Sequence, residues 1–139
     1  MVNRDLVARK IARARHWLAD AEARLQQPPN AFLSSMEARD LATFYIFLAI
    51  QEAIDLGAHW VADEGWGTPD EAGGTFDLLA ARGAIPVELA DGLRAAVGLR
   101  NRIAHGYATV NHERLHQEAT AGISTLRRFL ARIADAAGL

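Results

Sequence analysis

The chain has 139 residues, 50% of them apolar and 23% charged, with no cysteine and a formal charge of −2. That length implies one domain, residues 1–139, with a core of its own. The missing cysteines exclude disulfides, thiolate nucleophiles and cysteine-ligated zinc, and the slightly acidic sum argues against a general nucleic-acid binder, which is basic overall.

The opening residues Met1-Val2-Asn3-Arg4-Asp5 lead straight into an amphipathic pattern, with no apolar signal segment. No uninterrupted apolar run approaches the ~18 residues of a membrane span, so a cytoplasmic chain with no membrane partner is expected. Leu6, Ile11, Leu18 and Leu25, with alanines between them, predict a first helix over residues 4–26. Pro28 and Pro29 stop it, because proline removes a donor and restricts the residue before it.

Ser34 and Glu37 stand three apart, the spacing of a capping box, and predict the start of a second helix. From Leu41 through Phe44, Tyr45, Leu48, Ile50, Ile54 and Leu56 to Val61 it is too apolar for a solvated helix. It belongs at the centre of a bundle or against a second subunit. The run Glu64-Gly65-Trp66-Gly67-Thr68-Pro69 ends it.

A short helix is predicted over residues 76–82, stopped by Gly83. Pro86 then opens the next, whose apolar side carries Leu89, Leu93, Val97 and Ile103 and which ends near Gly106. Asn111 caps a last helix with Leu115, Ile123, Leu126, Leu130 and Ile133 in register. The sum is an all-α, up-down bundle of four main helices and one short one.

The chemistry concentrates in Arg100-Asn101-Arg102-Ile103-Ala104-His105-Gly106-Tyr107, within a stretch that holds no acid between Asp91 and Glu113. Arginine grips a phosphate in a planar fork and keeps its charge; histidine moves protons near neutral pH. The helical register of Leu89, Leu93, Ala96 and Ile103 continues through Arg100, so its guanidinium belongs on the buried stripe and needs a partner there. That partner is an acid, such as a glutamate of the second helix, a second subunit, or a phosphate ligand. Asn101 and His105, four apart, share a face, so the amide can orient the ring. Arg100 stands about 140° from His105 around an ideal helix, a separation that two copies of the motif span more easily than one. On RNA, His105 would take the proton of a 2′-hydroxyl, and Arg100 would stabilise charge on the attacked phosphate, with no metal or other cofactor. Arg102 adds a second cation for binding substrate.

His112-Glu113-Arg114-Leu115-His116 matches H-E-x-x-H, a zinc-protease spacing. It starts its helix, has Arg114 between the would-be ligands, and has only Glu118 and Asp135 beyond it as acids, so a solvated first turn is the better reading. Trp60 and Trp66 flank the loop after the second helix and are expected in the core or an interface.

The string Arg100-Asn101-x-x-x-His105-x-Tyr107 resembles the R-x4-H-x-Y motif of the HepT-like toxins, in the HEPN superfamily of small helical ribonucleases. The run from Ile50 to Gly57, Phe76-Asp77-Leu78-Leu79, Gly83-Ala84-Ile85-Pro86 and Val97 to Asn101 resembles the family in its usual order. The resemblance implies a HEPN-like homodimer of four- or five-helix bundles, with the motifs of two subunits in one cleft. It also implies metal-independent cleavage of RNA and a nucleotidyltransferase antitoxin that blocks the toxin by adding AMP to the motif tyrosine. Carried over, Arg100 binds phosphate, Asn101 orients the site, His105 is catalytic and Tyr107 is modified. Gly106 stands where a larger, often acidic residue is common, and Asn111 where aspartate is. The rival reading is a non-catalytic helical subunit that binds a nucleotidyltransferase, with Arg100 as one half of a structural ion pair.

Overall fold

A computed structural model describes residues 3–139; Met1 and Val2, the start of the expected N-terminal pattern, lie outside them. Six α-helices and one 3-10 turn make up the fold, with no strand among the described residues. Helix α1 spans Arg4–Leu25, with the Asn3 side chain accepting from the Leu6 N–H at 3.0 Å. Its buried residues, Val7, Ile11, Ala14, Leu18, Ala21 and Leu25, recur every three or four positions and form one stripe.

The prolines that end α1 also begin a short helix, α2 (Pro29–Ser34). Proline suits a first helical position because its missing N–H would be unpaired there anyway. This corrects the expected cap of the next helix by one residue. Ser34 is the last residue of α2 and donates to the Ala31 carbonyl, whereas Ser35 caps α3 (Met36–Glu64), its hydroxyl accepting from the Ala38 N–H at 3.1 Å. At the other end of α3, Gly65 takes φ 68°, the left-handed conformation that closes a helix most readily when no Cβ is present.

Helix α4 (Ala72–Ala81) begins four residues before the position predicted for it. Helix α5 (Val87–Gly106) follows Pro86, the 3-10 turn spans Tyr107–Thr109, and α6 (His112–Ala136) follows the Asn111 cap. The long helices α1, α3, α5 and α6 run up-down-up-down. Arg4 at the start of α1 donates to the Ala137 carbonyl just past α6, and His116 near the start of α6 meets the Leu25 carbonyl at the end of α1, so these two helices are antiparallel. Glu88 with Arg128 and Arg102 with Glu118 give the same order for α5 and α6.

Helix α3 packs against every other helix. An 18-residue window within it is apolar enough to span a membrane, with a hydropathy of 1.4, yet 56% of that window is buried inside the bundle. It is the core helix. Trp60 lies in that core, and Trp66 sits beneath Arg82 at 5.8 Å.

Candidate functional site

The last two turns of α5 carry the site, and the helix divides it between two sides. Leu93, Ala96, Val97 and Ile103 bury one stripe, and Arg100 follows that stripe toward α3. Half-buried, it donates from Nη1 to Gln51 Oε1 at 3.0 Å. Gln51 in turn donates from Nε2 to Asp55 Oδ1 at 3.3 Å. The Nε–H of Arg100 is buried with no partner.

The glutamate bridge, one of the alternatives for Arg100, is therefore absent. Glu52, one residue from Gln51 and only 6% exposed, pairs instead with Lys10 of α1 at 2.8 Å. Successive helix residues point about 100° apart, so the acid faces α1 while the amide faces α5. Among the described residues Arg100 has no carboxylate partner.

His105 and Asn101 are exposed on the other side of α5. They share a face, as the spacing requires, but no hydrogen bond joins them. His105 lines a cleft of about 410 Å³ between α5 and α6, with Leu99, Ile103 and Leu115 among its apolar walls and Arg102, Asn111 and Arg114 among its polar ones. Arg102 is not a free cation there. It pairs with Glu118, which also accepts from Arg114 Nε at 2.6 Å, so two guanidiniums share one carboxylate and leave one positive charge in excess.

Tyr107 begins the 3-10 turn just past Gly106, whose φ of −152° ends the α-helical path. That break turns the tyrosine toward α3, where its hydroxyl donates to the Asp40 carbonyl at 3.3 Å while the side chain stays 47% exposed. Burial first, and the Asp40 carboxylate second, raise the phenol's pKa and keep it protonated. Tyr107 and Arg100 thus meet the same helix, α3, at Asp40 and Gln51.

Of the H-E-x-x-H residues, His116 Nε2 donates to the Leu25 carbonyl at 2.9 Å, and its ring packs on Phe32 with centroids 5.0 Å apart. The string joins α6 to the end of α1 and to α2. Among the described residues no three His, Asp or Glu side chains gather into a metal-holding group. Gln51 and Glu118 are the partners that sequence reasoning missed. Gln51, a polar residue on an apolar helix four before Asp55, carried a signal, but nothing local pointed to a partner 49 residues away.

A family model described as Ribonuclease HepT-like matches residues 14–133. A candidate RNase of Archaeoglobus fulgidus is 33% identical over 93 residues, covering 66% of this chain and 70% of its own. The mRNA nuclease HepT of Shewanella oneidensis is 27% identical over 110 residues, 77% of this chain and 80% of its own. Among solved structures, the tri-AMPylated Shewanella oneidensis HEPN toxin in complex with MNT antitoxin is similar with a TM-score of 0.85 and 22% identity, over 94% of this chain and 98% of that one.

Proposed function

The chain belongs to the HepT-like ribonuclease family, and on that premise we propose that it is a metal-independent endoribonuclease toxin, homodimeric and cytoplasmic, paired with a nucleotidyltransferase antitoxin. Arg100 carries the proposal: a half-buried guanidinium whose partner is a neutral amide keeps its whole charge for a phosphate.

His105 acts as the general base. It takes the proton of a ribose 2′-hydroxyl, and the 2′-oxygen attacks the adjacent phosphorus. The bond from phosphorus to the 5′-oxygen breaks, that oxygen takes a proton from water, and a 2′,3′-cyclic phosphate remains. Arg100 holds the phosphoryl oxygens as their charge grows. Asn101, exposed on the face of His105, orients the substrate. Arg102, sharing Glu118 with Arg114, binds a flanking phosphate.

The split across α5 supports dimerisation. Arg100 turns to α3, and His105 lines the cleft toward α6. Between them lie the exposed Asn101 and Ala104, with the 47%-exposed Phe44 of α3 alongside. Asp40, Phe44, Leu48 and Gln51 fall within about 80° of one another around α3. A second copy seated on this surface sets the Arg100 of one chain against the His105 of the other.

Tyr107 is the acceptor of AMP. Its phenol oxygen attacks the α-phosphate of ATP and pyrophosphate leaves. The phenol is held protonated, so a base must take its proton as the new bond forms. The adenylate then brings bulk and negative charge to the side of α5 that Arg100 occupies, and both exclude RNA. The alternative, a non-catalytic subunit with Arg100 in a structural ion pair, has less support, because among the described residues the partner of Arg100 is a neutral amide.

The test is cleavage of total cellular RNA by the purified chain in excess chelator, beside His105→Ala. Chelator-resistant cleavage that the substitution removes supports the proposal; a fully active His105→Ala protein overturns it. With the antitoxin and ATP, Tyr107→Phe should gain no adenylate by intact mass.

A further inference from the structure

Arg100 has an unusual set of partners for a half-buried cation. An arginine that only joins two helices is paired with a carboxylate and has its N–H groups used. Here one N–H reaches a neutral oxygen, and the buried Nε–H reaches nothing. The neighbouring acid that could have neutralised it, Glu52, is committed to Lys10.

The amide of Gln51 is also fixed in its orientation. A carboxamide can present either its oxygen or its nitrogen, but a guanidinium only donates and a carboxylate only accepts. With Arg100 on one side and Asp55 on the other, a single orientation satisfies both: oxygen to Arg100, nitrogen to Asp55. Asp55 stands four residues along α3 and is exposed. The carboxylate thus makes no direct pair with the cation, and the neutral amide stands between them.

We propose that Gln51 is the positioning residue of Arg100, with Asp55 locking its amide, so that the guanidinium is held in place for an RNA phosphate without being neutralised. This rests on the ribonuclease reading above. A glutamate at position 51 would hold the same guanidinium and cancel its charge. A leucine would leave the charge but release the orientation. The two substitutions therefore have different signatures.

The experiment uses the full chain with Gln51→Glu, Gln51→Leu and Arg100→Gln, and the double variant carrying Arg100→Gln with Gln51→Glu. Thermal melting checks each fold. Affinity for a non-cleavable 2′-O-methyl RNA of mixed sequence is followed by fluorescence anisotropy across a salt series. Gln51→Glu should remain folded, bind more weakly, and flatten the slope of log affinity against log salt by about 0.7 for each guanidinium withdrawn. Gln51→Leu should keep that slope and lose about ten-fold or more in kcat, because an unpositioned group stabilises the transition state less. In the Arg100→Gln background, Gln51→Glu should add nothing to the slope.

A Gln51→Glu protein with wild-type slope and turnover overturns the proposal. So does an equal loss with and without Arg100, which would mean general repulsion of RNA. A His105→Ala protein that still cleaves RNA fails the ribonuclease reading itself, whereas an active wild type with an inert His105→Ala and unaffected Gln51 variants fails only the positioning role.

Discussion

Arg100 and His105 face different sides of α5, and this makes subunit complementation decisive. Consider Arg100→Ala and His105→Ala, each inactive as a homodimer. Removing a charge-stabilising group of this kind costs about 10²–10³ in turnover, and removing the proton-transfer group costs about 10²–10⁴. If each cleavage pairs the arginine of one chain with the histidine of the other, a mixed dimer holds one intact pair and one pair lacking both groups. Random exchange of equal amounts makes about half the dimers mixed, each with one of two pairs working, so activity recovers to about a quarter of wild type. That is at least an order of magnitude above either parent. The assay is cleavage of total RNA after co-refolding or co-expressing the two variants with distinct tags, and isolating the mixed dimer by tandem affinity. If both groups act within one chain, every dimer in the mixture lacks a working pair. A tandem-purified mixed dimer as inert as its parents would refute the composite site.

Two further outcomes follow from the packing. Lys10→Met leaves the Glu52 carboxylate, 6% exposed, without its 2.8 Å partner, and should lower stability by about 3–5 kcal/mol in urea titrations, while Lys10→Met with Glu52→Leu returns to within about 1 kcal/mol of wild type; a double variant as unstable as the single contradicts this. Burial first, and the Arg39 guanidinium second, lower the pKa of His112 against the opposing pull of Asp40, so the unfolded chain takes up a proton that the folded chain refuses as pH falls through about 6.5. Stability should therefore decline from about pH 7.5 toward 5.5, and His112→Gln should flatten that decline in Tm; an unchanged slope refutes the assignment.

Much of the molecule is legible in local patterns. The apolar spacing of α1, α5 and α6, the cap at Asn111, the start of α5 within one residue of Pro86, and the placement of Arg100 on the buried stripe all follow from interactions within one or two helical turns. The prolines misled, since a residue that ends one helix also suits the start of the next. The capping serine moved from Ser34 to Ser35 once α2 claimed the first of them.

By itself, the sequence determined an all-α bundle, its central apolar helix, and a cation, an amide, an imidazole and a phenol gathered at the end of α5. Only the tertiary structure decided which groups those residues meet. It gave Arg100 the neutral Gln51, turned Glu52 to Lys10, set Arg102 and Arg114 on Glu118, and sent Tyr107 to α3 and His105 to the cleft beside α6. The reason is rotational. Periodicity fixes which face of a helix is buried, but neighbouring residues point about 100° apart. Whether an acid or the amide beside it meets a distant arginine depends on how two helices are turned against each other, and the whole core sets that.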